Sequence, residues 1–515
     1  MLKTVRTFSV IALSSAILFG CGQSNTSSGG MPTNSNGLNI IAGSEIQTIK
    51  PLLDQAAKDL GFSINFKYSG TIEGVESVKS GGDYDVAWFG NSKYFYDTPE
   101  SAKRIKQSEK IMLSPVIIGV KPESFKKNNL SEKANYTWKD ISSWVQTKNM
   151  TYAMTDPSVS NSGYVALMGV VYATANKGEN ITVADVNKNV LQSFFKGQKV
   201  TAKSSNWIME TFNKEPIDFV VNYEAAILSN PSKLVPVYPQ EGIVTSDYSM
   251  LLINTDSAKA EKYKALVDYL KKKESQEALV EQYHYRSINN EVMGKQKVFD
   301  QNKLLVEMPF NPDNQVSEEI ITAYFNEYKK PAKFAFVIDT SGSMGGSRER
   351  EMKQLIDGFV KGNISKYATV RNRESILIVP FSDSVHDVKS FDSAAKNEMN
   401  SFIQNLNMDG GTAMYDAVAS AMNALIQDKK VNGEKYRYSV VVLTDGMSNQ
   451  GADFGEFKNW FGRNNIGSQD MRVFAISFGD ADLNQLNSLT GITGGKVFDG
   501  KSSLSSAFRE IRSYQ

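Results

Sequence analysis

From Leu38 onward, short apolar runs alternate with stretches in which apolar residues recur every three or four positions. The short runs predict strands and the periodic stretches predict amphipathic helices. Strands are expected at Leu38–Ala42, Phe62–Tyr68 and Tyr84–Phe89, with helices at Ile46–Leu60 and Ile72–Lys79 between them. That order implies a parallel sheet with helical crossovers. Met112–Val120, Thr151–Met154, Phe219–Asn222 and Met250–Ile253 read as further strands, and Gly163–Ala173 and Trp207–Phe212 as helices. Ala258–Tyr285 reads as one charged amphipathic helix. A connector with Pro309, Pro312 and a helical pattern over Ser317–Tyr328 follows.

A second alternating run opens at Pro331. Strands are expected at Phe334–Ile338, Ile376–Pro380, Ser439–Leu443 and Arg472–Ser477. Helices are expected near Arg348–Val360, Ala394–Leu406, Ala413–Gln427 and Leu504–Tyr514. The fold class is therefore α/β: a two-lobed module over 38–295, a connector over 296–330, and a doubly wound module over 331–515.

Composition narrows the chemistry. The chain has 515 residues and a 41% hydrophobic fraction, enough to fill real cores. Its 57 Lys+Arg against 56 Asp+Glu leave no basic surplus of the kind that drives nucleic-acid binding. One cysteine excludes an intrachain disulfide and cysteine-based metal clusters. The two histidines, His284 and His386, are far apart in sequence, so any metal is expected to be held by oxygen. His386 reads as an exposed loop residue. Trp88, Trp138, Trp144 and Trp207 fall within strand or helix patterns and read as core or lobe-interface packing. The lysine-rich stretch 259–273 reads as a solvated helix face.

The first 21 residues read as an export signal, with Lys3 and Arg6 ahead of an apolar stretch too short to span a bilayer. Leu18-Phe19-Gly20-Cys21 resembles the lipobox of bacterial lipoproteins, although Phe is unusual at its second position. The resemblance implies a signal peptide over 1–20, lipidation of Cys21, and a lipid-anchored, extracytoplasmic place in a bacterial envelope. A Ser-, Asn- and Gly-rich tether over 21–37 would follow.

Residues 38–295 resemble the type II fold of extracytoplasmic solute-binding proteins, the phosphate, sulfate and molybdate binders in particular. Candidate ligand contacts lie where strands hand over to helices: Ser44, Ser69, Thr71 and Asn91. The Ser-rich segment before the helix at 163 adds Ser158, Ser160 and Ser162, and the second lobe adds Tyr223. Hydroxyls and N–H groups at a helix N-terminus can bind an oxyanion. The same residues are equally suited to plain N-capping. Glu45, Glu73 and Glu224 stand near these positions and weigh against a simple oxyanion.

The first strand of the second module ends in Asp339-Thr340-Ser341-Gly342-Ser343. Alone, this triplet could merely cap the next helix. Thr412, within Gly410-Gly411-Thr412, and Asp445, after the most apolar strand, take comparable topological positions. Open α/β sheets gather ligands at the carboxyl ends of their strands. Asp339, Ser341, Ser343, Thr412 and Asp445 match the metal-ion-dependent adhesion site of the von Willebrand factor A family, a resemblance covering residues 331–515. It implies Mg²⁺, or Mn²⁺ or Ca²⁺, held by hard oxygen donors, with an open position for a carboxylate of a protein partner. Asp383 and Asp480 also follow apolar strands but read as turn or cap residues.

The expected function is a membrane-anchored binding protein, not an enzyme, whose A-type module captures an acidic residue of a protein partner. Its solute-binding-like module takes a small solute, if any. The alternative is the substrate-binding component of an ABC-type transport system, with the A-type module for docking.

Overall fold

The structure is a computed structural model that describes residues 37–131, 135–175, 180–300, 303, 305–308, 314–365 and 367–515. The expected export signal, Cys21 and nearly all of the tether lie outside the described residues, as do Pro309 and Pro312. Among the described residues no helix is long and apolar enough to cross a membrane.

Three sheets organise the described residues. The first has the order Ile64–Ser69, Leu38–Gly43, Val86–Trp88, Ser249–Leu252, Gln107–Lys110. Its first three strands are parallel, and Ser249–Leu252 returns antiparallel to both neighbours. The second is built on Met112–Val120, which pairs with Phe219–Tyr223, Val235–Val237, Thr245–Ser246 and Arg286–Ser287. Tyr152–Ala153 and Gln198–Val200 extend it in parallel register. These two sheets are the cores of two lobes joined by crossing strands.

The third sheet runs Lys389–Asp392, Ser375–Phe381, Ala332–Asp339, Arg437–Thr444, Arg472–Ser477, Val497–Asp499. All but the edge strand Lys389–Asp392 are parallel. Numbered within this module the order is 3-2-1-4-5-6, so chain direction across the sheet reverses beside the first strand. Ala332–Asp339 is buried along nearly its whole length, as a central strand covered on both faces must be. Alternate residues feed two cores: Phe334, Phe336 and Ile338 enter one, Ala335 and Val337 the other. The helix Met414–Asn432 covers the second face. Ser347–Lys361 and Leu504–Arg512 cover the first.

Two expectations are corrected. The single helix over Ala258–Tyr285 is two, Ser257–Lys271 and Lys273–Glu281, broken at Lys272, whose ψ of 149° is extended. The connector is packed down by its helical end, where Tyr324, Phe325 and Tyr328 are buried. Tyr324 stacks edge-on against Phe195 and donates a 3.0 Å hydrogen bond to Gln198 Oε1. The lysine stretch is only partly solvated, because Lys259 pairs with buried Asp85 at 3.1 Å and Lys271 with Glu109. Trp88, Trp138 and Trp144 are core residues. Trp207 packs edge-on against Tyr514 at 4.6 Å, across the boundary between the two halves of the chain.

That boundary is apolar. Val200, Ile208 and Phe212 of the second lobe belong to the same buried cluster as Phe334, Phe336 and Phe508 of the third sheet and its helices. The two modules therefore share a core.

Candidate functional site

The strand Ala332–Asp339 delivers Asp339 at its carboxyl end, fully buried. Asp339 Oδ1 accepts the Ser341 backbone N–H at 2.8 Å, and Oδ2 accepts the Thr444 hydroxyl at 2.6 Å. The Oγ atoms of Ser341 and Ser343 lie 3.0 Å apart, and the Ser343 hydroxyl donates to Asp445 Oδ1 at 2.8 Å. Thr412 is held from behind: its N–H donates to Asn449 Oδ1 at 2.9 Å, and its carbonyl accepts the Asn449 N–H at 3.0 Å. A β-carbon placed on Gly446 would stand 3.8 Å from both Ser343 Oγ and Thr412 Oγ1. The five oxygen-bearing side chains named from the sequence thus converge from three loops.

Those loops are tied through backbone. Gly342 N–H donates to Gly410 O at 3.1 Å, and Asp409 N–H to Thr340 O at 2.8 Å. Asp383 Oδ1 accepts the Gly411 N–H at 2.7 Å, so the residue read as a turn aspartate anchors the Thr412 loop. Gly410 has φ +81°, and a β-carbon there would fall 2.5 Å from Asp383 Oδ2. Only glycine suits both constraints.

The seam between the two lobes is assembled differently. Ser160 and Ser162 meet Thr155 and Ser205 in a buried hydroxyl cluster with spacings of 2.8 to 3.3 Å. Ser160 stands at the N-cap of the helix Asn161–Thr174 but makes no side-chain cap bond. Tyr223 OH accepts Asn161 Nδ2 at 3.2 Å, and Asn161 also reaches Ser246 and Tyr94. Ser44 faces Ser204 of the other lobe at 3.2 Å. The remaining candidates serve local structure. Ser158 donates to Asp156 at 2.6 Å, Ser69 to Glu73 at 3.0 Å, and Asn91 Oδ1 accepts the Lys93 N–H. Thr71 is buried at the start of the helix Thr71–Lys79. A β-carbon on Gly70 would lie 2.6 Å from Val159 O, so the lobes abut here.

Residues 334–512 match the family model described as von Willebrand factor type A domain. Residues 38–286 match the one described as bacterial extracellular solute-binding protein. The first part of the chain is thus similar to solute-binding domains and the second to A domains, and the two parts are called so below. No curated protein matches it. Solved structures are similar to part of the chain. A two-component system protein that mediates signal transduction is 18% identical, with 55% of this chain and 100% of that one covered and a TM-score of 0.42. The periplasmic binding protein AfuA from Actinobacillus pleuropneumoniae is 15% identical, with 57% and 99% covered and a TM-score of 0.43.

In the A domain, Asp339, Ser341, Thr412 and Asp445 are buried while Ser343 is exposed, so the cluster opens to solvent through one serine. Burial raises the Asp339 pKa, opposed by the hydrogen bonds from Thr444 and Ser341. Asp445 Oδ2 is held by Arg348 Nη1 at 2.5 Å, and Arg348 Nη2 reaches exposed Asp480 at 2.8 Å. Sequence reading missed Arg348 because its partner lies 97 positions away. The donor set is two carboxylates and three hydroxyls, hard oxygens that fit a divalent cation such as Mg²⁺. A guanidinium already drawn onto Asp445 shows that the cluster attracts positive charge.

In the solute-binding domain the three glutamates part ways. Glu224 is fully buried and takes a bidentate pair from Arg286 at 2.7 and 2.8 Å, so its charge is neutralised internally. Glu73 faces Lys203 at 3.4 Å and Arg509 of the A domain at 3.6 Å. Glu45 is buried beside Tyr248, and desolvation pushes its pKa up to about 7. None of the three therefore stands as an ordinary free carboxylate: two are paired with cations, and burial favours the neutral form of Glu45. Lys203 also pairs with Glu510 at 3.0 Å, so one ammonium links both lobes to the last helix of the A domain.

Proposed function

We propose that this protein is a lipid-anchored, extracytoplasmic, non-enzymatic binding protein whose A domain captures an acidic group of a protein partner. Asp339, Ser341, Ser343, Thr412 and Asp445 would hold a divalent cation for that purpose. When bound, the cation supplies an electron-pair acceptor that keeps positive charge, because three of its five candidate side chains are neutral hydroxyls. The chain's own residues do the rest. Asp339 is locked in place by Ser341 N–H and Thr444, Asn449 positions Thr412, and exposed Ser343 leaves the outer side free for a carboxylate. Met447, 55% exposed on the loop that carries Asp445, offers apolar surface beside it.

What carries the reading is the convergence of five oxygen donors from three loops at the strand ends where the sheet order reverses. The test is calorimetric titration of the whole chain with Mg²⁺. Saturable heat is expected from wild type and none from Asp339→Ala/Asp445→Ala. Equal heats from both proteins would overturn it.

A second reading, delivery of a small solute to a membrane permease, draws on the match over residues 38–286. Asn161, Tyr223 and Glu45 all crowd the backbone of Gly90: a β-carbon there would meet them at 2.8 to 3.4 Å. Bound solute raises thermal stability by mass action. A screen in which one solute class stabilises wild type but not Asn161→Ala would favour this reading.

A further inference from the structure

The end of the A-domain sheet opposite the Asp339 cluster rests on the second lobe and encloses a cavity of about 280 Å³. That size suits a small molecule, near the lower end of ligand pockets. Six lysine or arginine residues surround it against two acidic ones, Glu434 and Asp470. The acids are already engaged: Asp470 pairs with Lys199 at 3.1 Å, and Glu434 with Lys330 at 3.2 Å and Lys429 at 3.3 Å. Arg472 finds its carboxylate outside the cavity lining, in Glu215 at 3.1 Å. Arg437 makes no ion pair within 4 Å among the described residues, although Asp470 acts on it from further off; its Nη2 donates to the Gln198 carbonyl at 2.5 Å.

Three buried N–H donors on this lining lack a hydrogen-bond partner among the described residues: Gln198 Nε2, Arg437 Nη1 and Arg472 Nε. Gln198 is 2% exposed. A buried donor left unpaired is costly, and three beside one cavity with surplus positive charge leave an acceptor missing. Arg437 and Arg472 begin neighbouring parallel strands, whereas Gln198 approaches from the facing lobe. Donors arriving from separate directions suit a tetrahedral oxyanion, and guanidinium forks match its edges.

We infer that this cavity binds a small phosphate-class anion that ties the second lobe to the A domain. Its ligand chemistry is opposite in sign to that of the Asp339 cluster, and the inference does not rest on the adhesion reading.

The test is thermal melting of the whole chain with inorganic phosphate and, separately, glycerol phosphate. Saturable stabilisation is expected, and the more effective probe tells a free anion from a phosphomonoester. Arg437→Gln and Lys330→Gln should each weaken the apparent affinity roughly tenfold or more, the loss expected for a charge-assisted bond. Lys330→Gln guards against misfolding, since its partner Glu434 is 68% exposed. Asn161→Ala and Asp445→Ala should respond as wild type does. Three outcomes would sink the inference: no stabilisation by either probe at millimolar concentration, equal responses from wild type and both cavity variants, or a response abolished by Asn161→Ala but kept in Arg437→Gln.

Discussion

The lobe seam and the A-domain strand ends are built by the same rule and reach opposite outcomes. Both collect polar side chains where α/β strands hand over to helices. In the seam, hydroxyls from Ser160, Ser162, Thr155 and Ser205 face one another, and Asn161 is shared among Tyr94, Tyr223 and Ser246. At the A-domain strand ends, most of the fixing bonds come from backbone and from neighbours such as Thr444 and Asn449. The outer side, at Ser343, stays exposed. What differs is what lies on top: a second lobe covers the first cluster, and Arg348 reaches over the second.

The largest effect that separates them is metal dependence. Asp445→Ala should lower Mg²⁺ affinity roughly a hundredfold or more, since even outer partners of a metal contribute ten- to a hundredfold. Asn161→Ala should leave it unchanged. Equal losses in the two variants, read by calorimetry, would erase the distinction.

The seam should instead reveal itself through pH. A carboxyl whose folded pKa stands above its unfolded value holds its proton more tightly when folded. Stability present below an ordinary 4.5 is then lost as pH rises towards about 7 for Glu45. At about 1.4 kcal/mol per unit, Glu45→Gln should stabilise the chain by about 3 kcal/mol at pH 8 and by almost nothing at pH 4. Melting curves at the two pH values check this, and a pH-independent difference would mean that burial does not raise the Glu45 pKa.

Lys203→Met tests whether lobe closure depends on the A domain. It strips Glu73 and Glu510 of a shared, largely buried partner, although Arg509 and Lys496 remain beside them. A loss of about 2 kcal/mol is expected in denaturant unfolding, below the usual figure for breaking a buried pair because of those remaining cations. A neutral result would mean the remaining contacts, apolar and ionic, hold the lobes to the A domain without Lys203.

The smallest effect concerns Arg348. If its guanidinium competes with a cation for Asp445, Arg348→Ala should tighten Mg²⁺ binding about two- to fivefold, in line with a partly exposed ion pair. Weaker binding would instead make Arg348 a positioning residue for Asp445.

Much of this molecule was legible without coordinates. Met112–Val120 and Arg472–Ser477 coincide with their expected bounds, because a buried strand is a continuous apolar run. The edge strand Lys389–Asp392 went unseen, since an exposed edge carries no such run. Phe454–Arg463 and Leu483–Thr493 were likewise passed over, although Asp453 and Asp482 cap them with side-chain bonds that local spacing could have suggested. The break at Lys272 came without glycine or proline to announce it.

The five A-domain candidates could be named because three end or follow one strand, Asp445 follows another and Thr412 stands just before a helix, so local pattern carries the information. Asn161, Arg348, Lys203 and Arg437 could not be named that way. Each acquires its role from partners 62 to 307 positions away in the chain. Apolar periodicity and strand-end chemistry, being properties of neighbouring residues, settled the α/β class and marked out the candidate oxygen donors. Which lobe covers the seam, which charges meet across the module boundary and which donors are left unpaired there depend on long-range packing, and only the tertiary structure decided them.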